Sequence, residues 1–297
     1  MNNEIILNNE INLLQKRDEF ISYLDVSHET LKTYKEGLKS FFNYLKENNI
    51  KKPTRDDLRH FREELKQGLS INTTNSYLTS LRRFFGYLEV NGFYPNITKD
   101  IKSIKISKIP KKQVLTLDQT KDIYNSLVDL RERCLFSLAI TTGLRGVEMA
   151  NTRIEDINLY NGEIVLWVRC KGHTEKDEYV KLSANVLQDI SNYIGDRKEG
   201  YIFISTSNKN KGQGVTTKTL RLEIKNIFKR FGFDSDGFSL HSTRRTSATI
   251  AYNNGADIKE IQQMLHHMSL ATTSRYINQS TRDNAKTEYN IANAIFN

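Results

Sequence analysis

Only two cysteines, Cys134 and Cys170, occur in 297 residues. That is too few for a disulfide framework, and no CxxC spacing signals zinc. The six histidines include no HExxH pair, so neither a metal nor another cofactor is expected. Uninterrupted apolar runs are a few residues long, far short of the ~20 that a membrane span needs. The opening MNNEIILNNE has no basic start and no long apolar core, so a signal peptide is not expected, and the reading is a cytoplasmic protein without membrane partners. With 38% hydrophobic and 27% charged residues, the composition is that of a globular chain rather than a disordered one. At ~100–200 residues per domain, the length suggests two domains.

Lysine and arginine (44) exceed aspartate and glutamate (35), giving a net charge of +9 that points toward a polyanionic partner. More than half of that excess sits between Asn96 and Lys112. There Lys99, Lys102, Lys105, Lys108, Lys111 and Lys112 face a single acid, Asp100, with isoleucines between the lysines and Pro95 and Pro110 near the ends. A lysine at nearly every third residue suits an extended segment following a phosphate backbone. A solvated inter-domain linker fits the composition equally well. The expected domain boundaries are therefore 1–98, a basic linker over 99–112, and 113–297.

Before the linker the apolar spacing is helical throughout. Residues 9–24 form one run. Ser27 opens a second with Leu31, Tyr34, Leu38, Phe41, Phe42 and Leu45, and Thr54 caps a third with Leu58, Phe61 and Leu65. The fourth, 71–90, carries Tyr77, Leu78, Leu81, Phe84, Phe85 and Leu88. A four-helix bundle is expected, with Arg82 and Arg83 as candidate DNA contacts beside Lys99, Lys102, Lys105 and Lys108. Past the linker, Thr116 and Gln119 form a capping box, and 131–142 reads as a buried helix ended by Gly143. Asn161-Gly162 between two β-prone runs predicts a hairpin. Strands are expected at 163–170 and 178–182, with a short extra strand at 201–205. The fold class expected is mainly α with a small antiparallel sheet, a helical N-terminal bundle joined to a mixed α/β C-terminal domain.

The last sixty residues carry the chemistry. Ser239 to Ala248 opens a helix that Gly255 closes, Asp257 and Glu260 box the next, and Ser269 caps a short one reaching Tyr276. His241, Arg244, His267 and Tyr276 thus fall on or beside three consecutive short helices. Arg145 follows a buried helix in Thr142-Gly-Leu-Arg-Gly-Val-Glu148. Taken singly, each has an ordinary explanation: a helix-end arginine, a capping histidine, a core tyrosine, a solvated hairpin lysine at Lys171.

Together, in order, they resemble the tyrosine recombinases, the family of phage integrases and Xer-type resolvases. The family's T-G-L-R-x-x-E is Thr142 to Glu148, its H-x-x-R is His241 to Arg244, and its L-G-H-x8-Y is Leu265 to Tyr276. Lys171-Gly172 corresponds to its hairpin G-K-G. The resemblance runs over the whole chain and implies an N-terminal core-binding domain ahead of a catalytic one. Three positions and one loop length depart from the pattern. His266 stands at the motif glycine, Arg245 at a position often histidine, and Cys170 at the first glycine of G-K-G. The hairpin loop is also about two residues longer, which leaves Lys176 as an alternative to Lys171.

The resemblance implies that Tyr276 attacks a DNA phosphodiester, giving a covalent 3′-phosphotyrosyl intermediate. A phenol of pKa ~10 is ionised to about one part in a thousand at pH 7, so it needs a base. His241 is the candidate base and Lys171 the candidate acid for the departing 5′-oxygen, each step worth ~10²–10⁴-fold. Arg145 and Arg244 clamp the extra charge of the transition state, His267 adds a donor, and Glu148 supports them. The phosphotyrosyl bond conserves the energy of the broken linkage, so no metal or nucleotide is required. Expected partners are double-stranded DNA with a specific site, a homo-tetramer joined through the C-terminal tail (residues 278–297), with packing of that tail on its own domain as the alternative, and accessory proteins that set direction. About eight residues precede the first expected helix, so an arm-binding domain is not expected. A non-catalytic regulator on the same fold and a type IB topoisomerase are the alternatives.

Overall fold

The computed structural model describes residues 12–105, 113–170, 173, 175–233 and 237–274. The chain divides into two compact units, 1–109 and 110–297.

The first unit is a helical bundle: α1 (Leu13–Tyr23), α2 (His28–Glu47), α3 (Arg55–Gly68) and α4 (Ile71–Val90). Each start is fixed by a small polar residue whose oxygen accepts an orphan backbone N–H: Asn12, Ser27, Thr54 and Ser70. The expected run 9–24 is a helix from Leu13, because Asn12 takes the N-cap; residues 9–11 lie outside the described residues. The buried stripe is aromatic, with Phe20, Phe41, Phe61, Phe84 and Phe85 packed ring against ring at 5.2–5.9 Å between centroids.

The basic stretch behaves differently from a free linker as far as Lys105. Ile97 and Ile101 are buried in the bundle core. The Arg82 guanidinium donates to the Ile101 carbonyl at 2.8 Å and to Ser103 Oγ at 3.1 Å. The Asn75 amide grips the Ile104 backbone at both N–H (2.8 Å) and C=O (2.9 Å). Ile97, ahead of Lys99, and Ile101, between Lys99 and Lys102, are the physical reason: they have a core to enter, and the chain follows them. Residues 106–112 lie outside the described residues.

The second unit is built around α6 (Leu130–Thr142), whose Cys134, Leu135, Phe136, Leu138 and Ala139 are all buried. Packed near it are α5 (Leu117–Ser126), α8 (Ala184–Ile194), α9 (Thr217–Arg230) and α10 (Leu240–Asn253). Two shorter helices complete it, α7 (Gly146–Ala150) and α11 (Ile258–Met264), and residues 270–274 are helical. A three-stranded antiparallel sheet runs in the order β1 (Ile157–Tyr160), β2 (Glu163–Val168), β3 (Glu178–Lys181). Asn161 and Gly162 both take positive φ, 50° and 80°, as a two-residue hairpin requires. The register places Leu166 opposite Ile157 and Val180, so one face of the sheet enters the core. The extra strand expected at 201–205 does not form. Tyr201 bridges Arg153 and Ile204 bridges Gly214, two partners in different segments, so no ladder develops. Among the described residues, no helix is long and apolar enough to cross a membrane.

Candidate active site

Two arginines from distant parts of the second unit converge on one carboxylate. Arg145 is the N-cap of α7, immediately after the turn that ends α6. That turn depends on Gly143, which caps α6 with φ 62°. A Cβ there would stand 2.6 Å from Leu265 Cδ2, so glycine serves both the left-handed conformation and the close approach. Glu148, 1% exposed, reaches back along α7. Its Oε2 accepts the Arg145 backbone N–H and its Oε1 accepts from Arg145 Nη1, both at 2.7 Å.

Arg244 projects from α10 and is 1% exposed, which makes it one of the largest buried side chains in the chain. Its Nη1 donates to the Gly143 carbonyl at 2.6 Å and lies 3.9 Å from Glu148 Oε2, and its Nη2 donates to the Leu265 carbonyl. Arg145 Nη2 donates to the next carbonyl, that of His266, at 3.3 Å. The segment 265–266 therefore receives both guanidiniums on consecutive carbonyls, directly before His267. Buried charge is tolerable only when paired and hydrogen-bonded, and the shared carboxylate and carbonyls meet that condition. Helix α10 is held against α6 by Ser247 Oγ, which donates to the Ile140 carbonyl, while Thr246 Oγ1 accepts the Leu115 N–H at 3.0 Å.

His267 is buried. Its backbone N–H donates to the Gln262 carbonyl at 3.0 Å, and its Nδ1 pairs with Thr273 Oγ1 at 2.9 Å. Burial first, then the positive charges of Arg244 and Arg145, pull its pKa down to about 3. The ring is therefore neutral near pH 7, able to hydrogen-bond but carrying no charge. His241 lies three residues before Arg244 on the first turn of α10 and is exposed. Helical spacing puts the two on one face.

Lys171 and Tyr276 lie outside the described residues, as does Lys108. Lys176 places its Nζ 2.6 Å from both carboxylate oxygens of Asp156. Of the candidate DNA contacts in the first unit, Arg82 is engaged with Ile101 and Ser103, and Lys99 pairs with Glu89 at 2.5 Å. Arg83, Lys102 and Lys105 are exposed.

The departures from the family motifs acquire a geometry here. His266 adopts φ 47°, a left-handed conformation natural to the motif glycine it replaces. Its Nε2 lies 3.1 Å from the Tyr179 carbonyl on β3. Cys170, two residues past the end of β2, is buried, and burial with the nearby Glu148 charge pushes its thiol up to about 12. Glu148, Cys170 and His266 each bring one ligand-type atom within 4.8 Å of the others. The only sequence signal for that cluster was the pair of motif departures.

Fold and site define a two-unit protein whose second unit gathers two arginines and a histidine where an oxyanion can be held. The family model for the phage integrase family matches residues 112–282, and the model for the phage integrase N-terminal SAM-like domain matches 18–92. A tyrosine recombinase of Thermosipho africanus is 31% identical over 271 residues, covering 86% of this chain and 91% of its own. Tyrosine recombinase XerA of Pyrococcus horikoshii is 29% identical over 272 residues, with 89% of each chain covered. A solved structure of XerH recombinase bound to difH substrate, in its pre-cleavage complex, shares the fold with a TM-score of 0.71. It is 20% identical, with 94% of this chain and 96% of that one covered. The chain belongs to the phage integrase family, the tyrosine recombinases.

Proposed function

We propose that this chain cuts and rejoins DNA at a specific site through Tyr276, whose phenolic oxygen attacks the phosphodiester. The 5′-oxygen leaves with a proton from Lys171, and the strand stays attached as a 3′-phosphotyrosyl ester until a new 5′-hydroxyl reverses the step. Arg145 and Arg244 hold the non-bridging oxygens, neutral His267 contributes a hydrogen bond, and His241 takes the Tyr276 proton. The observation that carries this reading is the convergence of Arg145 and Arg244 on Glu148 and on the consecutive carbonyls of Leu265 and His266. Charged donors fixed in advance are what stabilise a transition state that gains negative charge. Lys171 is favoured over Lys176 because Lys176 is engaged in an ion pair with Asp156.

In this reading residues 1–98 form a core-binding domain and 99–112 carry the chain along the phosphate backbone to the catalytic domain, 113–297. The working assembly is a homo-tetramer on DNA, coupled through the tail beyond Thr281, with accessory proteins setting direction. Structures of relatives on this fold include a lambda integrase tetramer bound to a Holliday junction. The test is a suicide substrate carrying the chain's own site. Wild type is expected to give an SDS-resistant protein–DNA adduct and Tyr276→Phe none. An adduct that persists in Tyr276→Phe, or no adduct from wild type, would overturn the mechanism. Relaxation of plasmid lacking the site would favour a topoisomerase instead.

A further inference from the structure

Two of the three residues that depart from the family motifs, Cys170 and His266, meet in space beside the arginine pair. Cys170 lies just past β2, His266 sits in the turn after α11, and Glu148 comes from α7. One sulfur, one imidazole nitrogen and one carboxylate oxygen from these three elements lie mutually within 4.8 Å. Cys170 and Glu148 are buried and His266 is half-buried.

The imidazole is already set for a ligand. A carbonyl oxygen only accepts, so the contact between Nε2 and the Tyr179 oxygen places the ring proton on Nε2 and leaves a lone pair on Nδ1. Nδ1 is buried and has no hydrogen-bond partner among the described residues. Metal-binding histidines are oriented in this way, one nitrogen donating to a carbonyl while the other points at the ion. The backbone of His266 also sits at φ 47°, where a β-carbon is disfavoured, so the histidine is held at a place where glycine would be easier.

We propose that Cys170 Sγ, His266 Nδ1 and a Glu148 oxygen form a site for one thiophilic divalent cation of the zinc class. Thiolate, imidazole and carboxylate are the zinc donor set, and three protein ligands leave a fourth position for water. Binding releases the Cys170 thiol proton to solvent and forms the metal–sulfur bond in its place. Each Glu148 oxygen keeps a second lone pair beside the one used by Arg145. The ion therefore shares the carboxylate that orients Arg145, and loading it weakens that arginine's hold and slows strand cleavage. This last consequence rests on the recombinase reading; the site itself does not.

The experiment titrates cobalt(II) into the full-length protein after metal removal. One equivalent is expected to give a sulfur-to-cobalt charge-transfer absorption that zinc abolishes by displacement. Cys170→Ser should remove the band, and His266→Gly should weaken zinc binding ~100-fold or more. His266→Gly installs the residue that suits the backbone there, and unchanged circular dichroism melts show that both variants fold. No band in wild type, or a band that survives Cys170→Ser, overturns the site. In the second arm, saturating zinc should slow adduct formation by wild type ~10-fold while leaving His266→Gly at its own metal-free rate. Equal slowing of both overturns the coupling to Arg145. Absence of any adduct without zinc counts against the recombinase reading and leaves the cobalt result standing.

Discussion

Positive charge is arranged in opposite ways in two regions of this molecule. In the second unit, Arg145 and Arg244 are locked by a buried carboxylate and consecutive carbonyls. On the first unit, Lys102 and Lys105 stand in solvent, while the backbone beneath them is fastened by Arg62, Arg82 and Asn75. The first arrangement loses solvation on folding and must recover it from fixed partners, which leaves the donors in one geometry. The second keeps its solvation and its freedom, so it can attract phosphates without aligning any of them. Geometry acts on a transition state, whereas mobile charge acts on encounter and affinity.

The largest effect should come from breaking the aligned charges. Arg244→Lys keeps the charge but loses the fork that reaches Gly143 and Leu265 together, and single-turnover cleavage at saturating DNA should fall ~10²–10³-fold. Next is Glu148→Gln, which leaves two guanidiniums beside a neutral group. Urea unfolding should report a loss of about 3–5 kcal/mol, the cost of breaking a buried pair from one side.

A third effect sharpens the contrast through pH. The folded-state pKa of His267 lies below its unfolded value near 6.5, so its contribution to stability is complete above pH 6.5. That contribution is lost as pH falls through the folded value of about 3. Stability should decline across that window by at most ~5 kcal/mol, and His267→Gln should flatten the profile measured by urea midpoints. The smallest effect belongs to the exposed lysines. Lys102→Gln with Lys105→Gln should lower the slope of log affinity against log salt by about one for each phosphate no longer neutralised, leaving cleavage at saturating DNA unchanged.

Local signals in the sequence were sufficient wherever a cap or turn decides the outcome. Thr116 and Gln119, Gly143, Asn161-Gly162, and Asp257 with Glu260 all do what their side chains predict. The motifs also brought Arg145, Arg244 and His267 to one place. What sequence did not disclose depends on partners far along the chain. Arg82 reads as a surface cation until Ile101 and Ser103 arrive beneath it. Tyr201 to Ser205 is β-prone, but its neighbours in space come from two different segments and give isolated bridges. The helices α8 and α9 carry helical spacing, with Val186 and Ile190 in one and Leu220, Ile224 and Ile227 in the other. The polar loop around 205–214 obscured them by hiding where one element ends and the next begins. Cys170 and His266 are almost a hundred residues apart, and only the fold shows that they meet.

The most direct test of the contrast between aligned and mobile charge is single-turnover adduct formation measured across salt for two variants. One is Arg145→Ala, and the other is the Lys102→Gln, Lys105→Gln pair. Lowering salt strengthens every encounter but does not realign a missing guanidinium. The lysine variant is expected to return to the wild-type rate at low salt, while Arg145→Ala stays ~10²-fold or more below it at every salt concentration. Recovery of Arg145→Ala at low salt would contradict the account, since it would make that arginine one more attractor of DNA rather than a fixed part of the chemistry.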